Sequence, residues 1–209
     1  MSFFTFIKDQ RTHLPLVVTA SGCKGGTYIV TGANTGLGFE AAKHLVGLSP
    51  TRVILAVRAL RKGEEAKAKI EAETGVKGVA EVWHLDLASY DSVKEFAEKV
   101  NKLQRVDALI ENAGVAMAEW MIAEGLETTL TVNDVSTTLL AVLVLPKLQE
   151  SAKKFGISPH IVMVGSGVAF HAKGILETID GDILDGLTQG GQKMMRTRQV
   201  FLRTRSILK

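Results

Sequence analysis

At 209 residues, with 46% apolar and 22% charged side chains, the chain has room for one well-buried domain and too little for two. Six basic residues (Lys193, Arg196, Arg198, Arg203, Arg205, Lys209) follow Asp185 and account for the formal charge of +3; the rest holds 19 basic against 22 acidic residues, so no nucleic-acid partner is expected. The lone Cys23 excludes an internal disulfide framework, and the longest unbroken apolar run, 139–145, is about a third of a membrane span.

Residues 1–25 read as an N-terminal extension. Its apolar patch (Phe3, Phe4, Phe6, Ile7) is broken by Lys8, Asp9 and Arg11, a poor signal peptide, so the expected location is cytoplasmic. Residues 26–185 read as one domain in which strands and helices alternate. Strands are expected near 27–31, 53–57, 80–85, 106–110 and 160–164, and helices near 36–48, 64–74, 89–103 and 130–150. In the third helix Val93, Phe96, Ala97, Val100 and Leu103 form one stripe, and Ser92 with Glu95 has capping-box spacing. Alternating βα units imply an α/β fold, a Rossmann-like doubly wound parallel sheet. From about Ala172 the pattern fades, and 186–209 read as a poorly ordered basic tail.

The most informative stretch runs from Tyr28 to Gly38, where a short apolar strand empties into a glycine-rich turn and a helix follows. Glycines let the backbone approach a diphosphate, and a helix start offers unpaired N–H groups and a positive dipole end. Thr31, Gly32, Asn34, Thr35, Gly36, Leu37 and Gly38 are therefore candidates for nucleotide binding. Arg58 stands 20 residues after Gly38, where an acidic residue would hold the ribose hydroxyls of NAD; an arginine, helped by Lys62, suits the 2′-phosphate of NADP. Asp86-Leu87 ends the third strand, and its carboxylate suits an adenine amino group or a cap on the next helix. Asn112, Ala113 and Gly114 make a tight turn beside the cofactor ribose, Asn133 opens the fourth helix where a cap would stand, and Ser166 ends the fifth strand in a glycine loop. The histidines at 13, 44, 84, 160 and 171 show no paired spacing, and no metal site is expected.

TGANTGLG, DL, NAG, VN and IVMVGSG, in that order over residues 26–166, resemble the short-chain dehydrogenase/reductase family. TGAN with Arg58 is closest to NADP-preferring, retinol dehydrogenase-like members. The N-terminal extension and ILDGLTQGGQKMMRTR look most like filamentous-fungal members, many of which tailor lipophilic metabolites. The resemblance implies NADP(H) as cofactor and a carbonyl or secondary alcohol of a small lipophilic molecule as substrate. It assigns Ser166 to orienting the substrate oxygen, Asn133 to a water-linked proton path, and Gly32, Gly36 and Gly38 to the phosphates. Asp86 falls to adenine and Asn112 to Gly114 to the ribose side. It also makes a homodimer through the fourth helix plausible.

Two departures stand out. The family's Tyr-x-x-x-Lys pair is absent: the tyrosines are Tyr28 and Tyr90, and Gln199 with Arg203 keep only the spacing. Glutamine cannot exchange a proton near neutral pH, so impaired catalysis is expected. The abrupt change after Arg198 reads as a C-terminally truncated or mis-spliced product, with a sheet incomplete at its C-terminal side; a protein that binds NADPH without turnover is the other alternative. The second departure is Glu111, in place of an asparagine before the turn, where it would repel phosphates, strain the turn or face solvent.

Overall fold

The computed structural model describes residue 11 and residues 18–117, 120–166 and 179–188. Gln199, Arg203 and the rest of the expected tail beyond 188 lie outside the described residues, as does the extension up to 17 apart from Arg11.

A short turn α1 (Ala20–Cys23) leads into β1 (Thr27–Thr31), α2 (Gly36–Gly47), β2 (Arg52–Val57), α3 (Leu60–Thr74), β3 (Ala80–His84) and α4 (Tyr90–Asn101). Then come β4 (Ala108–Glu111), a small hairpin of β5 (Ile122–Ala123) and β6 (Leu126–Glu127), the long helix α5 (Ser136–Phe155), β7 (His160–Met163) and α6 (Ile183–Thr188). A helical turn (Thr128–Leu130) and a π-turn (Thr131–Val135) run into α5. Five strands form one sheet in the order β3-β2-β1-β4-β7, every neighbouring pair parallel. The chain builds outward from β1 to one side and then returns to β4 on the other. That reversal opens a crevice at the carboxyl ends of β1 and β4.

The near-continuous apolar run of β2 is what a strand covered on both faces requires. On one face Ile29, Ile54 and Leu109 pack with Val93, Phe96, Val100, Leu140, Val144 and Leu148 from α4 and α5. On the other, Val30, Val53 and Leu55 meet Phe39, Ala42, Leu45 and Val46 of α2 and Ala66 and Ile70 of α3. Each fully buried Ile or Leu here contributes about 1.5–3 kcal/mol. Most of α3 is charged and only Gly63, Ala66 and Ile70 are buried. A methyl at Gly63 would stand 2.5 Å from Val82 and 2.6 Å from Val57, so glycine lets this helix lie on the sheet.

Several boundaries differ from the sequence expectation. The α4 cap is Ser89, whose Oγ accepts from the Ser92 amide at 3.3 Å; Ser92 lies inside the helix and accepts from the Asp86 amide at 2.9 Å. The helix start agrees with the expected 89–103; what differs is the capping-box spacing of Ser92 with Glu95, because the Asp86 turn engages Ser92 instead. The third strand's helix partner begins at Leu60 rather than 64, and α6 spans the expected boundary at 185. The helical stretch Thr128–Phe155 is long and apolar enough to cross a membrane by length and composition, with a mean hydropathy of 1.5. Its stripe of Leu140, Val144 and Leu148 is spent on the sheet core. At the edge, Val162, Met163 and Val164 are 45%, 54% and 41% exposed, so β7 is an uncovered margin of the described sheet.

Candidate functional site

The parallel register delivers the strand ends to one place. Thr31 lies opposite Ala56, so Arg58 follows just beyond the level of the glycine turn. The Gly32 amide donates to the Ala56 carbonyl at 2.8 Å, pinning the turn to β2. Thr31 Oγ1 accepts from the amides of Asn112 (3.0 Å) and Ala113 (2.9 Å), and Asn112 Nδ2 donates back to the Thr31 carbonyl at 3.1 Å. Thr31 and Asn112 thus clamp the β1 and β4 turns together.

The three glycines differ in their reasons. Gly32 has φ +66°, and an added Cβ would come within 2.9 Å of Ala113 Cα. At Gly38 a Cβ would meet Asn112 Nδ2 at 2.4 Å and the Gly32 carbonyl at 2.7 Å, so glycine allows the first turn of α2 to sit on the clamp. Gly36 has φ +60° and open space where its side chain would be. Thr35 occupies the cap position without a side-chain hydrogen bond to the helix, and the first turn of α2 holds no acidic residue. The helix start therefore offers amide donors and its positive end to that open space, an arrangement that fits a diphosphate. Leu37, beside it, is 60% exposed. Asn34 is half-buried within the turn.

Arg58 and Lys62 are exposed at the end of β2 and the start of α3, and neither is in an ion pair among the described residues. Asp86 uses Oδ1 to accept from the Ala88 amide at 2.9 Å, closing the turn before α4 and leaving its other oxygen outside that turn. Leu87 is packed in the core. Gly114 ends the β4 turn. Next to it Asn133 takes both backbone groups of Val115: Oδ1 accepts from the amide at 2.8 Å, and Nδ2 donates to the carbonyl at 2.9 Å. Asn133 is thus no helix cap; it sits in the π-turn and holds the segment that leaves the crevice. Ser166, half-buried, follows β7 at the same end of the sheet, after Val164 has donated its amide to the Glu111 carbonyl at 2.9 Å.

The tyrosines are elsewhere. Tyr28 lies at the opposite end of β1, beside Cys23, and burial pushes its phenol upward. Tyr90 begins α4 beyond β3, at the sheet edge away from β7.

Glu111 corrects the solvent-facing reading. It is 3% exposed, both carboxylate oxygens lack hydrogen-bond partners among the described residues, and burial raises its carboxyl to about 7. It shares a strand face with Leu109, two residues earlier, which explains the burial. That alternation was the available signal. Glu127 shows the contrast: also buried, it accepts from the Thr129 and Leu130 amides and the Thr129 hydroxyl. The hairpin latch escaped sequence reading, because Glu124 sits at the hairpin tip yet accepts from the Tyr90 amide at 2.9 Å.

The comparisons with known proteins agree with this arrangement. Residues 27–175 match the family described as short chain dehydrogenase. The chain is 49% identical over 149 residues to the short chain dehydrogenase/reductase dmxR8 of Cryptosporiopsis sp. (strain 8999), covering 70% of this chain and 46% of the relative. It is 44% identical over 163 residues to the short chain dehydrogenase atnD of Emericella nidulans, covering 77% and 51%. The chain spans about half the length of the curated relatives it matches. A solved structure from Escherichia coli CFT073, a short chain dehydrogenase complexed with NADPH, superposes with a TM-score of 0.61 at 25% identity, covering 75% of this chain and 65% of that one. With the family match extending through all five strands of the sheet, this chain belongs to the short-chain dehydrogenase family.

Proposed function

We propose that this chain carries the NADP(H) site of an oxidoreductase of the NADP-preferring, retinol dehydrogenase-like kind. Its reaction interconverts a carbonyl and a secondary alcohol on a small lipophilic molecule, such as a fungal secondary metabolite. The open space at Gly36, before a helix start that its own cap leaves unfilled, is the observation that carries this reading. The relative from Escherichia coli with NADPH bound supports it.

When bound, NADPH supplies a hydride. Amides from Asn34 to Gly38 hold the diphosphate, on a turn shaped by Thr31 and Gly32. Arg58 and Lys62 neutralise the 2′-phosphate, as guanidinium and ammonium groups at a strand end can. Asp86 accepts from the adenine amino group through the oxygen its own turn leaves unused, with the Leu87 backbone alongside. Asn112, Ala113 and Gly114 run beside the ribose. The Ser166 hydroxyl donates to the substrate oxygen and orients it. Asn133 acts as a positioning residue, since both its amide atoms are committed to Val115.

One observation favours a second reading, an NADP(H)-binding protein without turnover: neither Tyr28 nor Tyr90 lies beside Ser166. A missing general acid costs roughly 10²–10⁴-fold in rate. Fluorescence titration with NADPH and NADH tests the binding claim. Arg58→Ala should weaken NADPH about tenfold and leave NADH nearly unchanged, the loss of one charge-assisted contact. Equal NADPH affinity in the variant would remove Arg58 from the site. Turnover unaltered by Ser166→Ala would refute its assignment, and intact binding with no turnover would select the second reading.

A further inference from the structure

Two of the described residues other than glycine have a left-handed backbone, Ser49 and Glu124. Glu124 (φ +54°) and Gly125 (φ +80°) form the two-residue loop between β5 and β6, in which Ala123 pairs with Leu126. A loop with positive φ at both positions ordinarily carries asparagine or aspartate, then glycine. Glutamate has neither their short side chain nor the missing Cβ that makes this conformation easy. Its presence needs a reason outside the turn.

That reason lies 34 residues away, where a Glu124 carboxylate oxygen accepts from the Tyr90 amide at 2.9 Å. Tyr90 is the first residue of α4. Its amide has no acceptor within the helix, and the positive end of α4 favours the carboxylate. The surrounding donors are engaged locally. The Ser92 amide donates to Ser89 Oγ at 3.3 Å, the Asp86 amide to Ser92 Oγ at 2.9 Å, and the Ala88 amide to Asp86 Oδ1 at 2.9 Å. The Ser89 amide donates to the Asp86 carbonyl at 3.2 Å. Glu124 joins this network from another part of the chain.

The hairpin is tied at its base as well. The Thr128 amide donates to the Met121 carbonyl and Thr131 Oγ1 to the Ala123 carbonyl, each at 2.8 Å. Thr131 opens the π-turn that carries Asn133, and Asn133 holds Val115 just beyond the β4 turn. One hairpin therefore links the turn after β4 to the turn after β3, the ribose and adenine sides of the proposed nucleotide site.

We propose that Glu124 is a positioning residue for the adenine end of NADP(H), acting through the Tyr90 amide and the Asp86 turn. The hairpin is a strut that sets the outer oxygen of Asp86 relative to the ribose-side turn. This inference rests on the assignment of Asp86 to adenine.

Calorimetric titration of the full chain with NADPH and with 2′,5′-ADP, its adenine half, tests this in two variants. Glu124→Gly suits the two-residue loop and removes the carboxylate, whereas Glu124→Gln keeps an acceptor at the same reach. Glu124→Gly should weaken both ligands about threefold, the scale of one carboxylate at an exposed helix start, and speed exchange of the Tyr90 amide about tenfold. Glu124→Gln should restore most of both losses. Wild-type affinity in Glu124→Gly would overturn this inference alone. So would weakening of NADPH without 2′,5′-ADP, or a Gln variant as weak as the Gly variant. A wild-type chain that binds neither ligand would overturn the nucleotide assignment and this inference with it.

Discussion

Glu111 and Gly36 show how single residues tune this crevice. The Glu111 carboxyl is raised by burial from an ordinary 4.5 to about 7 in the folded chain. A raised carboxyl means the folded state holds the proton more tightly than the unfolded one. The penalty is therefore absent below about pH 4.5, grows as pH rises toward 7, and then stays constant at about 3 kcal/mol. Glu111→Gln should remove this pH dependence: denaturant midpoints of wild type should fall between pH 5 and 8 relative to the variant, and the two should differ least near pH 4.5. Parallel curves would mean that the carboxylate finds a partner. At Gly36 the backbone is left-handed but unobstructed. Gly36→Ala should cost only about 1–2 kcal/mol in stability, yet its methyl would enter the diphosphate path and abolish nucleotide binding. Gly38→Ala meets the Gly32 carbonyl at 2.7 Å and should lower both together. Thermal melts beside nucleotide titrations separate the two variants.

At the scale of elements, the main strands and helices were legible because β2 reads as a continuous apolar run and α4 as a single stripe. The β5–β6 hairpin was not, since two-residue strands carry no measurable alternation. The start of α4 near Ser89 was legible, but its capping was not: Ser92 with Glu95 has capping-box spacing, yet Ser89 is the cap and Ser92 instead holds the Asp86 amide. Asn133 stood out in the sequence, but its partner did not, because a π-turn brings it to a residue 18 positions away. Asn133→Ala leaves the amide and carbonyl of Val115 without partners and should destabilise the chain by about 1–3 kcal/mol. Urea unfolding of this variant checks the figure. An unchanged midpoint would show that water replaces both bonds.

For the whole molecule, the sheet divides into a well-covered part and a bare margin. β3, β2, β1 and β4 have helices on at least one face, while β7 exposes Val162 and Met163, and Val164 just after it is exposed too. Such an edge invites strand pairing between chains. Met163→Lys, on an exposed edge residue, should raise the concentration at which light scattering detects association without moving the melting temperature; unchanged association would place the contact elsewhere. The crevice proposed for the nucleotide lies on the covered side of this divide, at the ends of β1, β2 and β4, where Thr31 and Asn112 clamp two of the turns together.

Hydrogen exchange of the full chain with and without NADPH tests the central claim most directly. Saturating NADPH should slow the amides of residues 34–38 most, with a smaller effect near Arg58, and Gly36→Ala should erase both changes. Protection that appears elsewhere while residues 34–38 exchange as freely as before would contradict the account.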